Sequence, residues 1–161
     1  MSEYQKNALT RVIILISILA AFASPSALYA EPVLGNPAGW TCGELKIVRF
    51  DAVSGSQGFW QERDYRTGNG VSLKAILMGG KGPAMLNVPA PEYESADGPL
   101  GAGRTYKTFF VGDYPALLER DRFLGISLAL KTPDAALTIE TPPGPEDEDV
   151  IGLALTLLYL M

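Results

Sequence analysis

Hydrophobic and polar positions alternate most regularly between Arg104 and Glu140, where the chain reads RTYKTFFVGDYPALLERDRFLGISLALKTPDAALTIE. Alternation with a period of two marks strands that bury one face. Thr105–Val111 and Ala116–Glu119 flank Gly112-Asp113, and glycine in the first position suits a two-residue type II′ turn. That turn pairs Val111 with Tyr114, Phe109 with Ala116 and Lys107 with Leu118. The opposite face carries Phe110 with Pro115, Thr108 with Leu117 and Tyr106 with Glu119. Both faces are largely apolar, so this hairpin is expected to be covered on both sides or to sit centrally. Gly125–Leu130 and Ala136–Glu140 follow, joined through Pro133-Asp134. There Ile126, Leu128, Leu130, Leu137 and Ile139 share one face, while Ser127, Ala129, Thr138 and Glu140 share the other, so one side is buried. Together these segments predict a four-strand antiparallel meander.

Upstream, Glu44–Phe50 reads as a short strand with Lys46 and Arg49 outward, followed by a loop over Asp51–Gly58. Phe59–Arg66 and Val71–Met78 predict a second hairpin. Val71, Leu73, Ala75 and Leu77 define its apolar face. A two-residue turn at Asn69-Gly70 would set Arg66, Asp64 and Glu62 on that face, a costly burial of charge. A three-residue loop, Gly68-Asn69-Gly70, shifts the parity and places Tyr65 opposite Leu73, Asp64 opposite Lys74 and Glu62 opposite Ile76. Glycine at the last loop position closes such a loop in a left-handed conformation. Tyr65 and Phe59 then face the core, and Trp60, Glu62, Asp64, Arg66 and Lys74 face outward.

Gly79–Pro83 reads as a strand break, Ala84–Val88 as a short extended piece, and Pro89–Gly103 as a long structureless stretch. Loops of that length tend to carry function. Glu31–Gly43, rich in Pro and Gly, is an irregular lead-in whose Trp40 is expected to plug one end of the core. At the other terminus, Glu146–Met161 predicts a helix. Pro145 suits its first turn, and Glu146-Asp147-Glu148-Asp149 complements the positive end of the helix dipole. Val150, Leu153, Ala154, Leu157 and Met161 form one stripe. Leu155, Leu158 and Tyr159 lie off that stripe, so the helix is expected to be clasped on two sides or to offer an apolar surface to a partner. The predicted fold is α+β: one twisted antiparallel sheet of about six or seven strands, covered on one face by this helix.

The first thirty residues change the picture of where the protein works. Lys6 and Arg11 precede an apolar run, Val12–Ala23, shorter than the ~17–25 residues a membrane span needs. Small residues offer cleavage after Ala23 or Ala30. An export signal is therefore expected, with residues 31–161 forming one domain in the periplasm or outside the cell. Without Lys6, Arg11 and Glu3, the 13 basic and 18 acidic residues become 11 and 17. An acidic chain without a basic run does not favour nucleic acid. Cys42 is the single cysteine, which excludes an internal disulfide and leaves a half-buried thiol or an intermolecular bridge in a homodimer. The absence of histidine excludes Ser-His-Asp and Cys-His catalysis, and one thiol cannot build a zinc site.

The candidate chemistry that remains is modest. GGKGP at 79–83 lacks the G-x-x-x-x-G-K-[ST] spacing of a phosphate loop. Asp97-Gly98-Pro99-Leu100-Gly101-Ala102-Gly103-Arg104 could form an anion-binding concavity of backbone N–H groups beside a guanidinium. Asp97, Gly101, Gly103 and Arg104 are its candidate ligands, against the plainer use of the glycines in a tight connection. Trp60 beside Glu62 and Asp64 supplies an aromatic platform next to two carboxylates about 7 Å apart, within the range of glycosidase pairs. A solvated sheet face with Lys74 opposite Asp64 explains the same residues. Glu119-Arg120-Asp121-Arg122 reads as a polar turn. The expectation is a non-enzymatic exported domain without a cofactor or metal, binding a protein partner or an apolar, lipid-like ligand. A carboxylate-dependent glycan hydrolase using Glu62 and Asp64 is the alternative.

Overall fold

The computed structural model describes residues 31–53, 55–80, 94–96 and 103–161. Nine antiparallel strands form one sheet: β1 (Thr41–Cys42), β2 (Lys46–Ala52), β3 (Gly55–Arg66), β4 (Ser72–Gly80), β5 (Glu94–Ala96), β6 (Thr105–Val111), β7 (Tyr114–Asp121), β8 (Gly125–Lys131) and β9 (Ala135–Thr141). The spatial order is β1-β3-β4-β9-β8-β7-β6-β5, with β2 also pairing β3. Helix α1 (Asp147–Leu160) packs across β9, β8 and β6. The α+β class with a single terminal helix over an antiparallel sheet is the one the sequence predicts.

Both predicted hairpin registers are present. Asp64 pairs with Lys74, Tyr65 with Leu73 and Glu62 with Ile76. The loop between them is closed by hydrogen bonds between Thr67 and Val71, with Gly70 at φ +91°. Val111 pairs with Tyr114 and Lys107 with Leu118 around Gly112 at φ +59°, a left-handed value that glycine adopts without strain.

Several expectations need correction. The hairpin β6–β7 is not central: among the described residues only the three-residue β5 lies beyond β6, and Phe110, on the face away from α1, is 56% exposed. The stretch read as the loop Asp51–Gly58 is mostly strand, because β2 runs to Ala52 and β3 begins at Gly55. Gly79-Gly80 does not break β4. Gly79 lies where a Cβ would strike the Phe59 ring, and Gly80 lies against Gly58, so these glycines permit close strand contact instead of ending it. The strand count rises to nine through the short edge pieces β1 and β5, the latter within the stretch 89–103 read as structureless. Residues 1–30, Ala84–Val88 and most of that stretch lie outside the described residues.

The core sits between the sheet and α1. Leu73, Ala75, Leu77, Leu128, Leu130, Leu137 and Ile139 are buried there with Val150, Leu153, Ala154 and Leu157 of the helix. Asp149 Oδ2 accepts a hydrogen bond from Glu146 N–H at 3.2 Å, satisfying a donor at the helix entry. Arg120, pointing from β7 to the helix side, reaches Asp147 at 2.5 Å.

The irregular lead-in is strapped to the same face. Gln61, Arg63 and Tyr65 alternate along β3 and hold it: Gln61 Oε1 accepts from Leu34 N–H, and Gln61 Nε2 donates to Pro32 O, each at 3.0 Å. Arg63 donates to Leu34 O and Gly43 O, and Tyr65 OH donates to Gly35 O at 3.0 Å. Leu34 is thereby fully buried. Trp40 is half-buried and stands edge-on to Tyr65, with ring centroids 6.4 Å apart.

Candidate functional site: a charged cleft on the open sheet face

Strand alternation sends every second side chain to the face opposite α1. The register arranges these outward residues in rows across the sheet. One row runs Asp64, Lys74, Glu140, Ser127, Glu119 from β3 through β4, β9 and β8 to β7. The next, toward the ends of the same strands, includes Arg66 beside Ser72 and Gly125 beside Asp121, with Arg104 just before β6. These residues line a cleft of about 880 Å³, whose wall also includes Cys42, Tyr65, Leu124 and Pro142.

Two further rows continue in the other direction along the strands. They carry Glu62, Ile76, Thr138, Ala129 and Leu117, then Trp60, Met78, Ala136 and Lys131. The open face therefore changes from charged at the cleft end to largely apolar at the other.

Asp121 organises one wall. It is buried, and its Oδ1 accepts from Phe123 N–H at 2.7 Å and Leu124 N–H at 3.0 Å, fixing the turn into β8. Its Oδ2 accepts from Arg104 Nε at 2.7 Å. The two backbone N–H groups first, and then the guanidinium, hold its carboxyl below the usual aspartate range. Arg104 also lies 3.3 Å from Glu119, so its charge is matched twice within the wall. A polar turn is thus too small a description of Glu119–Arg122: Asp121 ends β7 as a buried bracket.

The other wall leaves charge unspent. Lys74 stands in register between Asp64 and Glu140, but its ammonium leans along the strand toward Glu62 Oε1, 3.7 Å away. Glu62 also accepts from Lys46 at 2.9 Å, and this hydrogen bond chiefly lowers its pKa. Asp64 and Glu140 form no ion pair among the described residues. With cross-strand neighbours ~5 Å apart, these two carboxylates face the cleft about 10 Å from one another, and Arg66, hydrogen-bonded to Ser72, is a cation of the same lining without an ion pair among the described residues.

The sequence candidates distribute unevenly. Arg104 and Asp64 line the cleft, whereas Glu62, Trp60 and Gly103 do not. Gly103 is exposed at φ +76°. Asp97 and Gly101 lie outside the described residues. On the helix, Tyr159 is 91% and Leu155 46% exposed, while Leu158 is half-buried against the core. Cys42 is half-buried, its Sγ 3.8 Å from Trp40 O. Glu140, Glu119 and Ser127 were not singled out as site residues from sequence. The one available signal is their shared polar parity on strands whose other face is strongly apolar.

No family model, curated protein or solved structure matches this chain. Among the described residues no group of three or more His, Cys, Asp or Glu is arranged to hold a metal ion, and no helix is long and apolar enough to cross a membrane.

Proposed function

We propose that this chain is a non-catalytic, exported binding domain whose cleft takes a positively charged segment of a protein partner. The observation that carries the reading is the pair of unmatched carboxylates, Asp64 and Glu140, facing a cleft in which Arg104 is already neutralised. A cationic side chain reaching either carboxylate gains a charge-assisted contact without displacing an existing pair. The charged walls favour such a segment over a lipid chain. Apolar surface on α1 at Leu155 and Tyr159 supports a protein partner as well. The hydrolase alternative has less support: Glu62 does not line the cleft, and Lys46 holds it ionised, which denies it the general-acid role.

The test is a titration of the isotope-labelled protein followed by amide NMR. The probes are a capped five-residue peptide bearing one lysine and one arginine and its glutamate counterpart. The basic peptide is expected to shift amides around Asp64, Lys74 and Glu140 with Kd below about 1 mM, roughly −4 kcal/mol. Asp64→Asn and Glu140→Gln should each weaken it several-fold. Equal responses to both peptides, or shifts confined to other parts of the chain, would remove the basis for the reading.

A further inference from the structure

The sheet edge formed by β2 differs from its opposite edge. β5 is three residues long, but β2 is seven residues of unbroken strand without proline, and all seven are exposed. Ile47, Val48 and Phe50 are each about half exposed. Among the described residues β2 pairs with β3 alone, along one edge. The register shift near Phe50 adds its extra residue to β3, since Phe50 pairs with Gly58 and Asp51 with Ser56. β2 therefore keeps regular alternation. A seven-residue edge strand with exposed apolar side chains is a template for another strand.

We infer that β2 pairs antiparallel with β2 of a second copy of this chain, about a two-fold axis through Phe50. The strand's own sequence selects that register. A two-fold axis normal to the sheet must pass through a residue, so that paired side chains share a face. Centring on Arg49 sets arginine against arginine, and centring on Val48 sets Arg49 against Ile47. Centring on Phe50 sets Phe50 against Phe50, Val48 against Ala52, and Arg49 against Asp51 of the other copy, twice. Apolar then meets apolar and each charge meets its opposite at ~5 Å cross-strand spacing. Cys42 lies eight residues from the axis, so the two thiols are roughly 50 Å apart and the association is independent of any disulfide.

The test is sedimentation equilibrium of the full chain in reductant. The wild type is expected to dimerise. Asp51→Arg brings four like charges to the axis and should raise the dissociation constant at least tenfold, as should Arg49→Asp from the other side. The charge-exchanged double variant R49D/D51R restores both pairs and should return the constant to within about threefold of wild type. Circular dichroism of each variant checks that the sheet persists. A wild type monomeric at about 100 μM overturns the proposal. Single variants that dimerise normally, or a double variant as weak as the singles, overturn it equally.

Discussion

Replacing Tyr65 with phenylalanine removes one oxygen from a ring that is 1% exposed. That oxygen donates to Gly35 O, which also accepts from Arg63 Nη1 at 3.3 Å. The carbonyl therefore keeps a partner, no cavity opens, and the cost near neutral pH is that of one neutral hydrogen bond, about 1 kcal/mol. The alkaline behaviour is more telling. Burial pushes the Tyr65 hydroxyl up to about 12 from its ordinary 10.0. A raised folded-state pKa contributes stability that is complete below the unfolded value and is lost as pH climbs to the folded one. The wild type should thus lose about 1.4 kcal/mol per pH unit from Tyr65 between pH 10 and 12, roughly 3 kcal/mol in all.

Phenylalanine does not ionise. Urea melts followed by circular dichroism from about pH 8 upward should show the variant less stable at first and more stable beyond about pH 11, the curves crossing between. Ionisation of the other six of the seven tyrosines affects both proteins and cancels in the difference. A wild-type-minus-variant difference that stays constant across this window would refute the burial of an unionised Tyr65 against the lead-in.

Three further outcomes follow from named contacts. Asp121→Asn removes the Arg104 ion pair and weakens the bracket on the turn into β8, so its melting temperature should fall at pH 7. Because the native carboxyl titrates below 3.8, its stabilisation is complete above that value and lost as pH falls further, and the gap to wild type should narrow in acid melts. Gly125→Ala should cost roughly 2 kcal/mol or more in denaturant melts, since Gly125 has φ +99° and an added Cβ would collide with the backbone oxygen of Thr141. Tyr159→Ser, at a nearly fully exposed helix position, should leave stability within about 0.5 kcal/mol. A larger loss of stability would place Tyr159 in the fold of the chain and not on a surface available to a partner.

The strand registers were legible because they depend on local chemistry. Gly70 and Gly112 fix loop geometry, and the parity of Val71–Leu77 against Glu62–Arg66 leaves one economical pairing. The helix was legible from its acidic first turn and the spacing of Val150, Leu153, Ala154 and Leu157. What escaped depends on remote partners. Gln61 and Arg63 share the core face with Tyr65, and only the lead-in some 30 positions earlier explains polar groups there. Gly79 and Gly80 look like breakers until Gly58 and Phe59 are known to lie against them. The cleft escaped for the same reason. β4 pairs with β9 across more than fifty intervening residues, and nothing in either strand announces the other. That adjacency alone brings Glu140 beside Lys74.

The same adjacency explains why chemistry collects at one end of the open face. The β3–β4 loop, the β7–β8 turn and the exit from β9 toward α1 all lie at that end of the sheet, as alternating strand direction requires. Polar side chains tie these connections to the strands: Thr141 Oγ1 donates to Ser72 O at 3.1 Å, and Asp121 holds both the turn into β8 and Arg104. A cleft walled by mutually bonded groups needs little reordering to receive a ligand, which lowers the entropic cost of binding. The same bonds consume the charge of Arg104 and direct Lys74 toward Glu62, so Asp64, Glu140 and Arg66 are the charged groups of the cleft left without an ion pair among the described residues. The guanidinium that looks most like an anion ligand in sequence, Arg104, is thereby already engaged by Asp121 and Glu119.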